Sequence, residues 1–495
     1  MHLDNSSKNE IQFKLPFGFI LNMPALLFCS FIFFVTTSYF SIGYYHLDEH
    51  FQILEFAGSK LNLISIIDLP WEYKEQMRPA IQPLSVVVIY KFSSLFVTPN
   101  PFVIAFFLRL ISALFTFSIL TLFYKKFESE FQDNYLKKTF FFLSFFLWFI
   151  IFNGVRFSSE NLSGSFFALG FILYDSNSAK KNILIGLLLG LALITRFQVA
   201  FLIFGFLSWI LIIQKSKKNT VFLVLGISIS IVLGFFIDFW FYGKWVFTSY
   251  NYLEQNIFQN KAAQYGISPW WFYFSEILKY TLPPFSLIYL VCLGAVLRYL
   301  PKDILTWTIL PFIIIHLLIG HKELRFLFPL LLFLPLITSR GILIVRTKIN
   351  FNFINPKLAK IVTKLFFVSN FLCLIFIAFK PAEKLVSIYK FIYNTYPNST
   401  KLFYTGNNPY LGLNNNYFYK RESLTFIKVN SIAELNIPNS TKVLFVTKNK
   451  TEIAELQKSN KIVYSSYPVW LKFSNFNHWM ERSNPYYIFE IKGYK

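Results

Sequence analysis

The chain has 495 residues, 55% of them hydrophobic and 15% charged, with a mean hydropathy of +0.48 and a formal net charge of +22. Soluble domains carry about 25% charged residues, so this composition, gathered into long apolar runs, excludes a disordered chain, a coiled coil and a large soluble enzyme. The Lys and Arg flank the apolar runs and form no single basic stripe, which is the pattern of membrane topology and not of a nucleic-acid surface.

A membrane-crossing helix needs about 20 apolar residues. In chain order the candidates are 20–45, 101–124, 139–153, 163–176, 182–197, 198–214, 219–242, 283–299, 303–320, 326–345 and 361–380. The first is too long for a signal-peptide core and lacks a small-residue cleavage site, so it reads as a retained span. The stretch 81–97 is apolar but carries Gln82, Pro83 and Lys91. Read as a re-entrant or interfacial helix, with the N-terminus cytoplasmic, it leaves Lys125, Lys126, Lys137, Lys138, Lys180, Lys181, Lys215, Lys217, Lys218, Arg340 and Arg346 on the inside, as positive-inside bias requires. Counting it as a span would put Lys215–Lys218 outside. Cys29, Cys292 and Cys373 lie inside apolar runs, far apart, and read as core residues.

This topology brings five polar segments to the outer face: His46–Gln52, Arg156–Asn161, Thr195–Gln198, Asp238–Trp245 and His321–Arg325. Ionisable groups at membrane depth are costly unless they serve a site. The outer loops are 46–98 and 243–282. Beyond residue 380 long apolar runs cease, and short β-type segments such as Lys442–Thr447 alternate with a helical stretch near Glu452–Lys458. The predicted architecture is a polytopic α-helical membrane protein of about 11 transmembrane helices. Residues 1–380 form the membrane body, and 381–495 form a small α/β domain on the outer face.

In the first loop, Asp48 and Glu49 lie between His46 and His50, with Gln52 following. Adjacent carboxylates repel, which raises the pKa of one, and a carboxylate there could take a proton from a hydroxyl nucleophile. The alternatives are a helix start and a divalent-metal site, although in a helix Asp48 faces away from both histidines. His321, Lys322, Glu323 and Arg325 lie between two apolar spans. The cations suit a phosphate, with Arg325 reaching two oxygens and Lys322 acting as a point charge; the alternative is an interfacial anchor. Arg156, Glu160, Asn161 and Arg196 could read sugar hydroxyls, or the first segment could simply cap a helix. Trp270 and Trp271 are either an interfacial belt or a stacking platform for substrate.

Together these segments resemble the GT-C mannosyltransferase family that uses dolichyl-phosphate-mannose in the N-glycan and GPI-anchor pathways, nearest its third-GPI-mannosyltransferase branch. The resemblance runs through His46–Gln52, Trp71-Glu-Tyr73, Arg109, Arg156–Asn161, Asp238–Trp245, Tyr265–Trp271 and His321-Lys-Glu-Leu-Arg-Phe326, in the family's order over residues 20–345. His-Leu-Asp-Glu stands where His-Pro-Asp-Glu is usual, and Lys74, Glu75 and Gln76 lengthen the path to Arg78-Pro-Ala. The C-terminal part resembles the family only loosely, at Tyr404–Tyr410 and Asn477–Trp479.

The resemblance implies an inverting transfer of a sugar, mannose, from a polyprenyl-phosphate carrier to a hydroxyl of a glycan or glycolipid acceptor. Asp48 would be the base and Glu49 would orient the acceptor. His321, Lys322 and Arg325 would hold the donor phosphate. His46, His50, Gln52, Arg78, Arg156, Glu160, Asn161, Arg196, Trp270 and Trp271 would bind substrate. No metal or cofactor is required by this chemistry, and the partners are the lipid-linked donor, the acceptor and the bilayer, with no nucleic acid. The competing class is a polytopic transporter or flippase, whose polar groups belong near the bilayer midplane. The Phe, Asn and Lys bias, the short N-terminus and the absence of a retrieval signal at Lys492–Lys495 point to a bacterial inner membrane with a periplasmic site, the alternative being the endoplasmic reticulum with a lumenal one.

Overall fold

The computed structural model describes residues 12–14, 20–176, 178–348, 356–410, 417–435, 437, 442–467, 473 and 475–492. Residues 493–495, the end of the Lys492–Lys495 segment, lie outside that description. The chain divides into two compact units. The first contains residues 1–40, 75–84 and 106–380, and the second contains 41–74, 85–105 and 381–495.

The first unit is helical. Among the described residues, five stretches of the chain are long and apolar enough to cross a membrane: Met23–Phe40, Pro101–Glu130, Lys217–Tyr242, Leu324–Lys348 and Lys360–Thr395. Two bent pairs raise the number to seven: Asn134–Phe146 with Trp148–Gly154, bent by 41°, and Ser286–Tyr299 with Ile304–Leu318, bent by 118°. Counting apolar runs alone gave about 11. The difference lies in helices such as Ser159–Leu173 and Ala179–Thr195, which at 15 and 17 residues are too short to count among these stretches. Hydropathy does not separate a short buried helix from a span. Ile81–Ser94 is a helix of 14 residues, too short to count among the spans.

Close helix approach sets the geometry of this unit. A Cβ on Gly186 would lie 2.2 Å from the Leu223 carbonyl oxygen, and one on Gly226 would lie 2.2 Å from that of Ile183, so two helices touch backbone to backbone, as small residues permit. A Cβ on Gly164 would lie 2.7 Å from Cα of Pro329. That contact seats the helix Ser159–Leu173 against the 3-10 stretch Leu324–Phe333, one carrying Glu160 and the other Arg325. Elsewhere Arg340 pairs with Glu130 and Asp303, and Arg346 pairs with Asp133 at 2.7 Å.

The second unit is built on a five-stranded sheet. Its strands are β3 (Thr400–Tyr404), β4 (Leu424–Lys428), β5 (Lys442–Thr447), β6 (Lys461–Ser465) and β7 (Tyr487–Lys492); β1 (Gln12–Lys14) and β2 (Ile20–Asn22) form a separate antiparallel pair. The order is β4-β3-β5-β7-β6, with β4, β3 and β5 parallel and β7 antiparallel to both neighbours. Phe403, Val443, Phe445, Phe489 and Ile491 form a core on the sheet.

The composition change at residue 380 marks where the C-terminal part of this unit starts, but residues 41–74 and 85–105 belong to the same unit. The reason is local. The Ala382 and Glu383 amides donate to the Ile42 carbonyl at 2.9 and 3.1 Å, and Gly43, at φ +86°, lies where a Cβ would come 2.8 Å from Cβ of Glu383. Residues 41–74 and 85–105, most of the first loop, are therefore built into the C-terminal unit, which an apolar-run reading of the chain does not detect.

Candidate active site

In the first unit the site starts at a helix N-terminus. Ser158 caps Ser159–Leu173 by accepting from the Asn161 amide at 3.2 Å, which places Glu160 in the first turn, where a negative charge is favoured. Glu160 Oε1 accepts from Arg196 Nη1 at 2.9 Å and from Arg325 Nη1 at 3.1 Å. Arg196 stands where Ala179–Thr195 ends, in extended backbone, and also donates to Ser159 Oγ at 3.0 Å. Arg325 Nε and Nη2 grip Glu323 at 2.5 and 3.2 Å. Both guanidinium carbons lie 5.4 Å from the Phe326 ring centroid, close enough for cation–π attraction.

The segment carrying His321 and Lys322 is fixed to the loop 266–268. The Ser268 amide donates to the Gly320 carbonyl at 2.9 Å, and Lys322 Nζ donates to the carbonyls of Ser268, at 3.0 Å, and Ile319. Burial pushes the Lys322 pKa below the ordinary lysine value because desolvation disfavours the charged form. His321 lies between the Gly266 carbonyl, 3.0 Å from Nδ1, and Glu323 Oε1, 3.1 Å from Nε2. Trp270 and Trp271 follow on the same loop, both exposed.

Three further predicted residues are held by other contacts. Asn161 donates to the carbonyls of Arg156 and Gly154 at 2.9 and 3.2 Å, holding the turn before its helix. Arg156 is buried with its guanidinium 5.3 Å from the Phe152 ring. Arg78 lies over the Tyr252 ring at 5.4 Å, and Tyr252 accepts from Gln198 at 2.6 Å.

In the second unit, His46 caps the short helix Leu47–Glu49, its Nδ1 accepting from the Asp48 amide at 3.3 Å, and the Tyr45 amide donates to Glu49 Oε2 at 3.4 Å. His46, Asp48 and Glu49 are half-buried. Gln52 donates to Glu72 at 3.3 Å. His50 is turned inward. Its ring is stacked between Tyr44 and Tyr419 at 5.2 and 5.3 Å, and its Nε2 lies 2.5 Å from Glu55 Oε1, which also accepts from the Phe418 amide at 3.1 Å. The ring is wholly buried, so in this structure His50 packs within the core of the unit.

The residues 26–405 match the family model of the Alg9-like mannosyltransferases. The chain belongs to that family. It is 29% identical over 348 residues to GPI mannosyltransferase 3 of Candida albicans, covering 65% of this chain and 64% of the relative. It is 26% identical over 268 residues to GPI alpha-1,2-mannosyltransferase 3 of Danio rerio, covering 53% and 49%. The chain thus spans about half to two thirds of the length of the curated relatives it matches. The crystal structure of ArnT from Cupriavidus metallidurans bound to undecaprenyl phosphate superposes with a TM-score of 0.52 at 11% identity, over 95% of this chain and 99% of that one. This likeness shows the fold, which is the GT-C fold the resemblance implied. The Alg9-like chain is an integral membrane protein, and its family displaces the transporter alternative.

Within this Alg9-like chain, sequence reasoning missed Asp238 as a positioning group and Glu55 altogether. Asp238 accepts from the Ala80 amide and the Thr248 hydroxyl, both at 2.8 Å, while the Tyr242 hydroxyl donates to the Arg78 carbonyl at 2.8 Å, so the segment bearing Arg78 is held from both sides. The signal was the acidic residue near the end of an apolar run. Glu55 left none, because it lies five residues after His50 and meets it only through the π-helical turn His50–Glu55, outside the 3.6-residue period. Among the described residues no three His, Cys, Asp or Glu side chains gather as a metal ligand set.

Proposed function

We propose that this chain is a membrane mannosyltransferase that moves a mannosyl unit, with inversion, from a polyprenyl-phosphate carrier to a hydroxyl of a GPI-type glycolipid. The observation that carries this reading is the convergence of Arg196 and Arg325 on the buried Glu160, beside His321 and Lys322, inside the family-matched region. Such a group of fixed cations suits the charge that appears on a departing phosphate. Phosphate is already a good leaving group, so the remaining tasks are positioning and removal of the acceptor proton. Asp48 takes that proton and Glu49 orients the acceptor. His46, Gln52, Arg78, Trp270 and Trp271 line the paths of the two substrates.

The same reading keeps about 11 membrane passes, a cytoplasmic N-terminus and the site on the outer face. The relatives named above that are eukaryotic, and their GPI names, favour the endoplasmic reticulum with a lumenal site over the bacterial inner membrane. Purified chain in nanodiscs, supplied with labelled dolichyl-phosphate-mannose and a GPI precursor glycolipid, is expected to release dolichyl phosphate and label the glycolipid. Absence of both products from protein that shows a cooperative thermal transition would overturn the reading.

A further inference from the structure

Every nitrogen of the Arg325 guanidinium already faces a carboxylate. Nη1 points to Glu160, and the Nε and Nη2 edge grips Glu323 side-on with both oxygens. That edge is the part of arginine that matches a phosphate. A carboxylate and a phosphate cannot share it, because two anions in contact repel.

Glu323 also meets His321 Nε2 at 3.1 Å, so the two carboxylates differ in exposure and setting and not in number of partners. The Glu160 side chain is 4% exposed, holds two arginines and sits in a capped helical turn, whereas the Glu323 side chain is 27% exposed and precedes the 3-10 stretch in extended backbone. Glu160 is built to stay and Glu323 can leave.

We propose that Glu323 is a resident anion: it occupies the edge of Arg325 that the donor phosphate takes, moves aside when the lipid-linked sugar binds, and returns as the polyprenyl phosphate departs. The proposal rests on the reading of His321, Lys322 and Arg325 as the phosphate-binding group. Displacing Glu323 weakens donor binding. Its return competes with the product phosphate for Arg325, which speeds release, a step that often limits turnover. Until the donor arrives, the carboxylate also keeps the guanidinium oriented and offsets its charge.

The sign of the expected effect separates this from ordinary scaffolding. If Glu323 only orients Arg325, neutralising it weakens phosphate binding. If it is a displaced anion, neutralising it strengthens binding. The test measures dolichyl monophosphate binding to the full chain in nanodiscs, together with donor KM and kcat, for the parent, Glu323→Gln, Glu323→Ala and Arg325→Gln. Glu323→Gln is expected to bind dolichyl monophosphate roughly tenfold more tightly, since one carboxylate–phosphate repulsion is removed, and to lower donor KM and kcat together. Glu323→Ala is expected to change binding in the same direction, and it decides the matter if the Gln variant does not fold. Arg325→Gln is expected to weaken binding. Weaker binding in Arg325→Gln with unchanged or weaker binding in the Glu323 variants overturns the displaced-anion proposal and leaves the phosphate site standing. Unchanged binding in Arg325→Gln overturns the phosphate reading and the proposal with it.

Discussion

Two histidine–glutamate pairs occupy the two units, and the contrast between them shows what enclosure does to the same chemistry. In the second unit, His50 and Glu55 are 0% and 2% exposed, 2.5 Å apart, stacked between tyrosine rings. In the first, His321 and Glu323 are 15% and 27% exposed, 3.1 Å apart, and Glu323 is shared with Arg325. A fully enclosed pair holds the fold around it together, and its loss strands a buried polar group. An open pair bound to an arginine can exchange partners.

The largest expected effect lies in the short helix next to the sealed pair. Asp48→Asn keeps size and removes proton acceptance, so turnover should fall by roughly 10²–10⁴-fold, with the thermal transition unmoved. Activity close to the parent would pass the base role to Glu49. Next comes the open pair's arginine. Arg325→Lys retains charge but loses the planar fork, and should lower kcat/KM for lipid-linked sugar by roughly ten- to hundredfold, while Arg346→Lys, whose partner is Asp133, should leave it unmoved. Equal small effects at the two arginines would reduce the cluster to an interfacial anchor.

The contrast between the pairs is tested most directly at Glu55. Glu55→Ala leaves the Phe418 amide and the His50 ring without their acceptor and should cost about 1–3 kcal/mol of stability, with donor KM unmoved. A shift in donor KM at full stability would show that the sealed pair reaches the donor after all. The smallest effect is expected at Asp133, whose carboxyl pKa is held below its ordinary value by the hydrogen bond from Arg346. Because the folded value is depressed, the contribution is present above the unfolded pKa and fades as pH falls through the folded one. For an exposed pair it amounts to about 0–1 kcal/mol, so Asp133→Asn should barely move a neutral-pH thermal midpoint, and should flatten any acid limb the parent shows.

Much of this was legible in the residues themselves. The polar segments stood out against apolar surroundings, and Arg196, Glu160 and Arg325, 165 residues apart at their widest stated pair, do meet. What the sequence concealed was direction and depth. That Asp48 faces away from His50 follows from a helix, but that His50 is wholly buried in an aromatic stack while Asp48 is only half-buried does not. The number of spans is hard to read for a related reason: apolar content reports burial but not whether lipid or protein does the burying. The allegiance of residues 41–74 was hidden because it depends on backbone groups, the Ile42 carbonyl and two amides, which carry no residue signature.

That last contact bears on how the molecule is made. Ile42 leaves the ribosome about 340 residues ahead of Ala382 and Glu383, and at ordinary elongation rates the delay is roughly 20–70 s. During that interval the segment leading to Asp48 lacks the Ala382 and Glu383 amides, and Glu55 waits longer still for the Phe418 amide. A nascent or truncated chain that stops short of Ala382 therefore carries Asp48, the proposed base, on a loop that lacks these contacts.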